Sequence, residues 1–123
     1  MNCLAVARLA AVLGSVVMLC ACIVASESPE DRQAQQGREL LARYHCGSCH
    51  SIPGVAAAQG QFAASLAGYG QRSYIAGRVA NDADTLARWI VNPASVVPGT
   101  LMPNLGVSAA DARDMALYLG RLQ

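Results

Sequence analysis

The chain has 123 residues, of which 54% are hydrophobic and 14% are charged. All nine basic residues are arginines, eight residues are acidic, and the formal net charge is +1. The basic residues form no run, which excludes a nucleic-acid partner of the usual electrostatic kind. The length allows one small domain beside a targeting sequence.

The N-terminus has the pattern of a targeting sequence, because a short basic start precedes a continuous apolar stretch over residues 9–24. We predict a signal sequence or an N-terminal membrane anchor over residues 1–25. Three outcomes are open: lipidation of Cys22 after cleavage, as in bacterial lipoproteins, which we favour; an uncleaved helix; or cleavage near Ala25, which releases a soluble protein. Each outcome places the domain, residues 28–123, on the periplasmic side of the bacterial cytoplasmic membrane.

The domain opens with the start of a helix. Ser28 suits the N-cap, Pro29 the first helical position, and Asp31 the reciprocal position of a capping box. The small and apolar residues that follow share one helical face, and they are Ala34, Gly37, Leu41 and Tyr44. We therefore predict a first helix on which a second backbone can approach closely at Gly37.

Cys46, Cys49 and His50 form the pattern C-x-x-C-H, the attachment pattern of a c-type haem. Two thiols at this spacing add to the two vinyl groups of one haem, and the histidine that follows supplies one axial nitrogen to the iron. A zinc site needs a fourth ligand, but no further cysteine follows and His45 is the other histidine. A redox C-x-x-C needs a βαβ context, which the sequence does not indicate. The motif therefore predicts one covalently attached haem c.

Short helices and loops are predicted for the rest of the chain, with no sheet. In chain order, the predicted segments are a loop over residues 51–71, one or two helical turns over 72–79, a helix capped at Asn81-Asp82 that ends at Asn92-Pro93, an extended loop over 92–106, and a last helix capped by Ser108. The last helix carries an apolar stripe of Met115, Tyr118, Leu119 and Leu122. The pattern predicts an all-α domain of roughly three to five short helices.

Met102 is the candidate for the second axial position of the haem iron. It lies in Pro98-Gly99-Thr100-Leu101-Met102-Pro103, where the prolines restrict how far the loop can drift. Met115, by contrast, belongs to the apolar stripe of the last helix and suits a core position. A thioether ligand favours Fe(II) and fills the coordination sphere, so the iron transfers electrons and binds no substrate.

These features occur in the order found in class I cytochromes c, which the chain resembles over about residues 33–122. The matching features are the helix with Gly37, Cys46-x-x-Cys49-His50, Trp89, Met102 in Pro-Gly-x-x-Met-Pro, and the last helix with Tyr118-Leu119. More narrowly, the sequence from Arg72 to Gly99 is similar to cytochrome c domains that are attached to haem–copper oxidases or act as their partners. The resemblance implies a class I cytochrome c fold wrapped around one haem.

That fold would place His50 and Met102 on opposite haem faces, and it would cross the first and last helices with Gly37 opposite the Tyr118 region. The resemblance also implies further contacts with the cofactor, in which Arg72 and Trp89 hydrogen-bond haem propionates and Leu66 packs against the ring.

One position departs from the family pattern. Relatives have a proline whose backbone carbonyl accepts a hydrogen bond from the ligand histidine, and Ala64 stands at that position here. The carbonyl of Ala64 is able to accept the same bond, but the chain is less restricted there. We therefore expect looser support for His50.

These observations predict an electron carrier and not an enzyme: a membrane-associated monohaem cytochrome c. Its partners would be redox proteins, such as a terminal oxidase or a membrane dehydrogenase. Two alternatives stay open, a haem enzyme or gas sensor with an open distal site, and a fixed relay subunit of a respiratory complex. The balanced charge predicts docking that is apolar or tethered, with Val55, Ala56 and Ala57 beside the docking patch.

Overall fold

The computed structural model describes residues 27–123, so the targeting sequence predicted over residues 1–25, including Cys22, lies outside the described residues. The described elements are the α-helices α1 (Pro29–Arg43), α2 (Ala83–Val91), α3 (Pro93–Val96) and α4 (Ala109–Gly120), the 3₁₀ turns Cys46–Ser48 and Tyr69–Gln71, and the short strands β1 (Tyr74–Ile75) and β2 (Val79–Ala80). Within residues 27–123, no helix has the length and apolar character needed to cross a membrane. The predicted all-α class is confirmed, with one small two-stranded ladder added.

Side-chain caps begin the three longer helices, as predicted. The Ser28 hydroxyl accepts from the Asp31 N–H at 3.0 Å, and the Asp31 carboxylate accepts from the Ser28 N–H at 3.3 Å, which completes the capping box of α1. The Asp82 carboxylate accepts a backbone N–H of α2 at 2.8 Å, and the Ser108 hydroxyl accepts one from α4 at 3.1 Å. Each cap pairs an N–H that has no partner inside its own helix.

Helices α1 and α4 pack across each other at Gly37, which is buried. A Cβ atom added at Gly37 would fall on the backbone carbonyl of Asp114 in α4, so the two backbones touch there. The contact lies one helical turn before Tyr118, the position that the resemblance implied. Leu40 of α1 and Met115 of α4 are 1% and 0% exposed, so the core continues from this contact.

We call the packed pair of helices α1 and α4 the helical frame. Polar contacts join the two helices at each end of this pair. At one end, Arg121 Nη1 donates to the Asp31 carboxylate at 2.8 Å. Hydrogen bonds from Ser28 and from Arg121 hold the pKa of the Asp31 carboxyl below its usual value. At the other end, the Tyr44 hydroxyl donates to the Asp111 carboxylate at 2.8 Å. The frame is therefore fixed by packing at its centre and by hydrogen bonds at both ends.

Helix α2 packs on α4 and supplies Leu86, Trp89 and Ile90 to the core. Segments outside the α-helices supply further buried side chains, among them Ile52, Leu66, Tyr69, Ile75, Val97 and Val107. Loops, a 3₁₀ turn and β1 therefore form a large part of the core.

Two predicted segments differ in the structure. The helical turns predicted over residues 72–79 are wrong: β1 and β2 pair antiparallel, and Ala76 and Gly77 between them have φ values of 50° and 66°, which reverse the chain. The extended loop predicted over residues 92–106 is interrupted by the one-turn helix α3. Pro93 opens this turn because its fixed φ suits the first helical position.

Candidate functional site

Cys46, Cys49 and His50 lie on one tight turn that follows α1. His45 has a left-handed backbone, with φ of 55°, and thereby ends the helix and begins the 3₁₀ turn. The Cys46 carbonyl accepts from the N–H groups of Cys49 at 3.3 Å and of His50 at 3.1 Å. The turn therefore holds the backbones of both cysteines and of the histidine in a fixed relation. His45 itself is exposed.

Both cysteines of the motif are free thiols. Cys46 is half-buried and packs against the core, and this burial raises the pKa of its thiol. Cys49 is exposed. One thiol thus faces the interior and the other the solvent, so the turn is accessible from outside.

Two glycines allow the turn to lie in close backbone contact with the loop that follows it. A Cβ atom added at Gly47 would lie 2.6 Å from the Cβ atom of Ala58, and one added at Gly60 would lie 2.6 Å from the Ser48 carbonyl oxygen. The Gly60 N–H also donates to the Gly47 carbonyl at 2.9 Å. The amino-acid sequence did not predict this backbone contact, which sets the position of the C-x-x-C turn.

His50 is oriented by one hydrogen bond, because its Nδ1 atom lies 2.7 Å from the Ala64 carbonyl oxygen. A carbonyl only accepts, so Nδ1 carries the proton, and the lone pair of Nε2 is left to bind a metal. The Ala63 N–H donates to the Cys49 carbonyl at 2.9 Å, and the Leu66 N–H donates to the Ser51 carbonyl at 2.8 Å. Ala64 therefore supplies the expected carbonyl, from a loop that is paired to both neighbours of His50.

Leu66 lies in this loop, and the side chain of Arg72 contacts it. Leu66 is buried in the core at 9% exposure. The Arg72 guanidinium donates from Nη2 to the backbone carbonyls of Ser65 and Ala67, the latter at 3.3 Å, and lies 5.2 Å from the centre of the Tyr69 ring. The described residues thus give Arg72 a structural contact beside the role with the haem propionates that the resemblance implied.

Trp89 and Met102 reach the core from other segments. Trp89, on α2, is 8% exposed. Met102 follows α3 in the proline-flanked loop, is half-buried, and packs against the core, while its backbone N–H donates to the Thr100 hydroxyl at 3.2 Å. Leu101, next to it, is 98% exposed. The loop therefore directs the methionine inwards and the leucine into solvent.

The donor side chains suit one of the cofactors that the motif allows and not the other. Within residues 27–123, no three His, Cys, Asp or Glu side chains are grouped so that they could hold a metal ion, as a zinc centre requires. Two free thiols three residues apart, followed by a histidine with its Nδ1 atom occupied, do suit a covalently attached haem. The residues present thus fit the haem interpretation.

Comparison with known proteins agrees with this donor set. A family model described as "Cytochrome c" matches residues 34–123. Cytochrome c oxidase subunit 2 of Alkalihalophilus pseudofirmus is 32% identical over 98 residues, which cover 79% of this chain and 28% of that protein. Cytochrome c oxidase subunit 2 of Bacillus subtilis is 32% identical over 91 residues, 72% of this chain and 26% of that protein. The chain therefore spans only about a quarter of the length of these relatives. No solved structure gives a significant match.

Proposed function

The chain belongs to the cytochrome c family, and from that premise we propose that it is a monohaem electron carrier in which His50 and Met102 are the axial ligands of the iron. Its family binds haem c covalently and transfers electrons. The observation that carries the finer proposal is the hydrogen bond from His50 Nδ1 to the Ala64 carbonyl. This bond leaves Nε2 free at a residue that directly follows two free thiols.

Cys46 and Cys49 would hold the cofactor. In each attachment, the thiol S–H would add across a vinyl double bond, with formation of a C–S bond and transfer of the proton to the other vinyl carbon. When bound, the haem would supply an iron that alternates between Fe(II) and Fe(III). Leu66 and Trp89, which are both buried, would supply apolar surface to the group.

Met102 is proposed as the second axial ligand because it is half-buried on the core in a loop that prolines restrict. With both axial positions filled, the site has no place for a substrate, so we assign no catalytic residue. The protein would accept an electron from one partner and pass it to another.

Carbon monoxide binding tests the ligation directly. We expect the dithionite-reduced, haem-loaded protein to give the same absorption spectrum with and without carbon monoxide, because both axial positions are occupied. Met102→Ala should bind carbon monoxide rapidly, and Met115→Leu, a substitution in the core of α4, should not. Rapid binding by the unchanged protein would overturn the proposal and favour a haem enzyme or gas sensor with an open distal site.

The proposed electron partner is a terminal oxidase, and a membrane dehydrogenase is the candidate donor. The relatives are named as oxidase subunits, which supports an oxidase and also a second possibility, a relay subunit fixed within a respiratory complex. Co-purification of the haem-loaded protein with an oxidase at high salt would favour the fixed subunit over a free shuttle.

We propose that the protein docks to the terminal oxidase through an apolar surface. Phe62 and Leu101 are 95% and 98% exposed, and each lies close in sequence to a proposed haem-binding residue. Val55, predicted to border a docking patch, is buried and does not suit that role, whereas Ala56 and Ala57 are exposed, as that role requires. Contiguous apolar patches in solvent mark surfaces that contact other molecules, and we propose that Phe62 and Leu101 belong to one such patch.

Replacing either exposed side chain by serine tests the docking surface. We expect Phe62→Ser and Leu101→Ser each to lower the second-order rate of electron transfer to a haem–copper oxidase roughly tenfold, because burial of such a side chain contributes about 1.5–3 kcal/mol. Tyr74→Ser, which changes an exposed aromatic residue of β1, is the matched control. Equal rates for all three variants and the unchanged protein would contradict apolar docking.

We propose that the domain lies on the periplasmic side of the cytoplasmic membrane, held there by a lipid on Cys22. The sequence pattern of residues 1–25 supports this location. The mass of the mature N-terminus separates the three outcomes, since a lipidated Cys22, an intact leader and a cleavage near Ala25 give different masses. An unmodified N-terminus near Ala25 would contradict lipid anchoring.

A further inference from the structure

The Ala64 carbonyl, which orients His50, belongs to an exposed stretch of loop. Ala64 and Ser65 are both exposed. The backbone pairings that hold the loop are made by Ala63 on one side and by Leu66 on the other. Position 64 is an alanine, which restricts the backbone less than a proline would. The peptide that carries the acceptor therefore needs support from elsewhere in the chain.

Arg72 contacts the loop at the residues that need this support. Its Nη2 group donates to the backbone carbonyl of Ser65, directly after Ala64, and to that of Ala67 at 3.3 Å. The planar guanidinium directs its N–H groups in a rigid arrangement that an ammonium group does not reproduce. One side chain thus fixes two carbonyls just beyond the acceptor of the His50 hydrogen bond.

Contacts with Tyr69 and Asn81 hold Arg72 itself in place. Its N–H donates to the Tyr69 carbonyl at 3.1 Å, and its carbonyl accepts from Asn81 Nδ2 at 2.9 Å. Tyr69 is 6% exposed, and the guanidinium lies over its ring at 5.2 Å. Both the backbone and the side chain of Arg72 are therefore fixed relative to the core.

We propose that Arg72 is a positioning residue for the axial histidine, acting through the Ser65 and Ala67 carbonyls on the Ala64 peptide that orients His50. It takes the place of the stiffness that a proline at position 64 would give. This inference rests on the proposed role of His50 as an axial ligand. The Nη1 and Nε groups of Arg72 stay available for a haem propionate, so the two roles are compatible.

The proposal predicts the sign of the effect on the reduction potential. A hydrogen bond donated by Nδ1 makes the imidazole a stronger donor to the iron, which favours Fe(III). Loosening the Ala64 peptide weakens this bond and raises the potential. Loss of a positive charge near the iron does the opposite, because it removes an electrostatic penalty on Fe(III). Arg72→Lys retains the charge and loses the two-carbonyl contact, so it isolates the positioning effect.

The experiment measures the exchange of the His50 Nδ1 proton with solvent, by NMR on the reduced, haem-loaded protein. We expect Arg72→Lys to speed the exchange roughly tenfold, as loss of about one net hydrogen bond implies, and to raise the reduction potential. In the Ala64→Pro background, Arg72→Lys should change the exchange rate by less than about twofold, because the proline restricts the peptide directly. Arg78→Lys, an exposed arginine beside β2, is the control that should change neither quantity.

The outcomes separate this inference from the proposed ligation. If the His50 ring protons of the unchanged protein lack the large ring-current shifts of an axial ligand, the proposed ligation fails. If those shifts are present and Arg72→Lys leaves the exchange rate unchanged, the positioning role alone fails. The positioning role would also be overturned if Arg72→Lys changed the exchange rate equally with alanine and with proline at position 64. The proline background keeps the test decisive if Arg72→Lys alone loads haem poorly.

Discussion

The helical frame and the ligand loop, residues 45–72, are ordered in different ways. The frame consists of α1 and α4, whose backbone bonds are internal to each helix and whose N-termini are capped by local side chains. The ligand loop has only two 3₁₀ turns, and it is held by backbone bonds between distant residues, such as Ala63 to Cys49. Close backbone contacts occur in both regions, at Gly37 in the frame and at Gly60 in the loop. We infer that the frame sets the stability of the domain and that the ligand loop sets the positions of Cys46, Cys49 and His50.

The largest effect is expected in the frame, from Gly37→Ala. The added Cβ atom would fall on the Asp114 carbonyl, and two packed helices have little freedom to separate. Overpacking of this kind costs about 3 kcal/mol, and the better helix propensity of alanine returns about 1 kcal/mol. We therefore expect the free energy of unfolding of the haem-loaded protein to fall by about 2 kcal/mol in guanidinium titrations.

The matched control for this prediction is Gly120→Ala, at the end of α4. A Cβ atom added there meets no other atom within 4 Å, so the substitution should leave the stability unchanged or raise it slightly. Equal destabilisation by Gly37→Ala and Gly120→Ala would show that helix packing at Gly37 does not limit the stability of the domain. The reduction potential of Gly37→Ala should stay close to that of the unchanged protein. The reason is that the Ala64 peptide, which orients His50, belongs to the ligand loop and not to the frame.

The difference between the two regions also explains what the sequence could predict. The helix caps at Ser28, Asp82 and Ser108 were predicted because each depends on residues within one turn of chain. The C-x-x-C-H motif was identifiable for the same reason, since its three residues lie within five positions. The close approach at Gly37 was predicted from the helical face, whereas the crossing with the last helix near Tyr118 was implied by the resemblance. The contact lies at Asp114, one turn before Tyr118, because a helical face does not determine register.

Features that depend on contacts distant in sequence were missed. Residues 72–79 were predicted as helical turns, although Gly77 marks the reversal that makes them a strand pair. The contact of Arg72 with the Ser65 and Ala67 carbonyls leaves no trace in composition or periodicity, because a side chain that binds backbone carbonyls requires no particular residue at either partner. Ala64 indicated only that this stretch is less restricted than a proline would make it, and not which group supports it.

The smaller effect on stability is expected in the ligand loop, from Gly60→Ala. Its added Cβ atom would lie 2.6 Å from the Ser48 carbonyl oxygen. The ligand loop lacks the helix-on-helix packing that surrounds Gly37, so we expect a loss of only about 1 kcal/mol in the free energy of unfolding. The displaced turn carries Cys49, so the fraction of protein with two thioether bonds, measured by mass spectrometry, should fall. Gln61→Ala, at an exposed neighbouring position, should preserve both quantities. Full haem attachment in Gly60→Ala would show that the C-x-x-C turn keeps its geometry without the close contact at Gly60. The positions of the residues in the ligand loop would then depend on the His50–Ala64 hydrogen bond and on the contacts of Arg72.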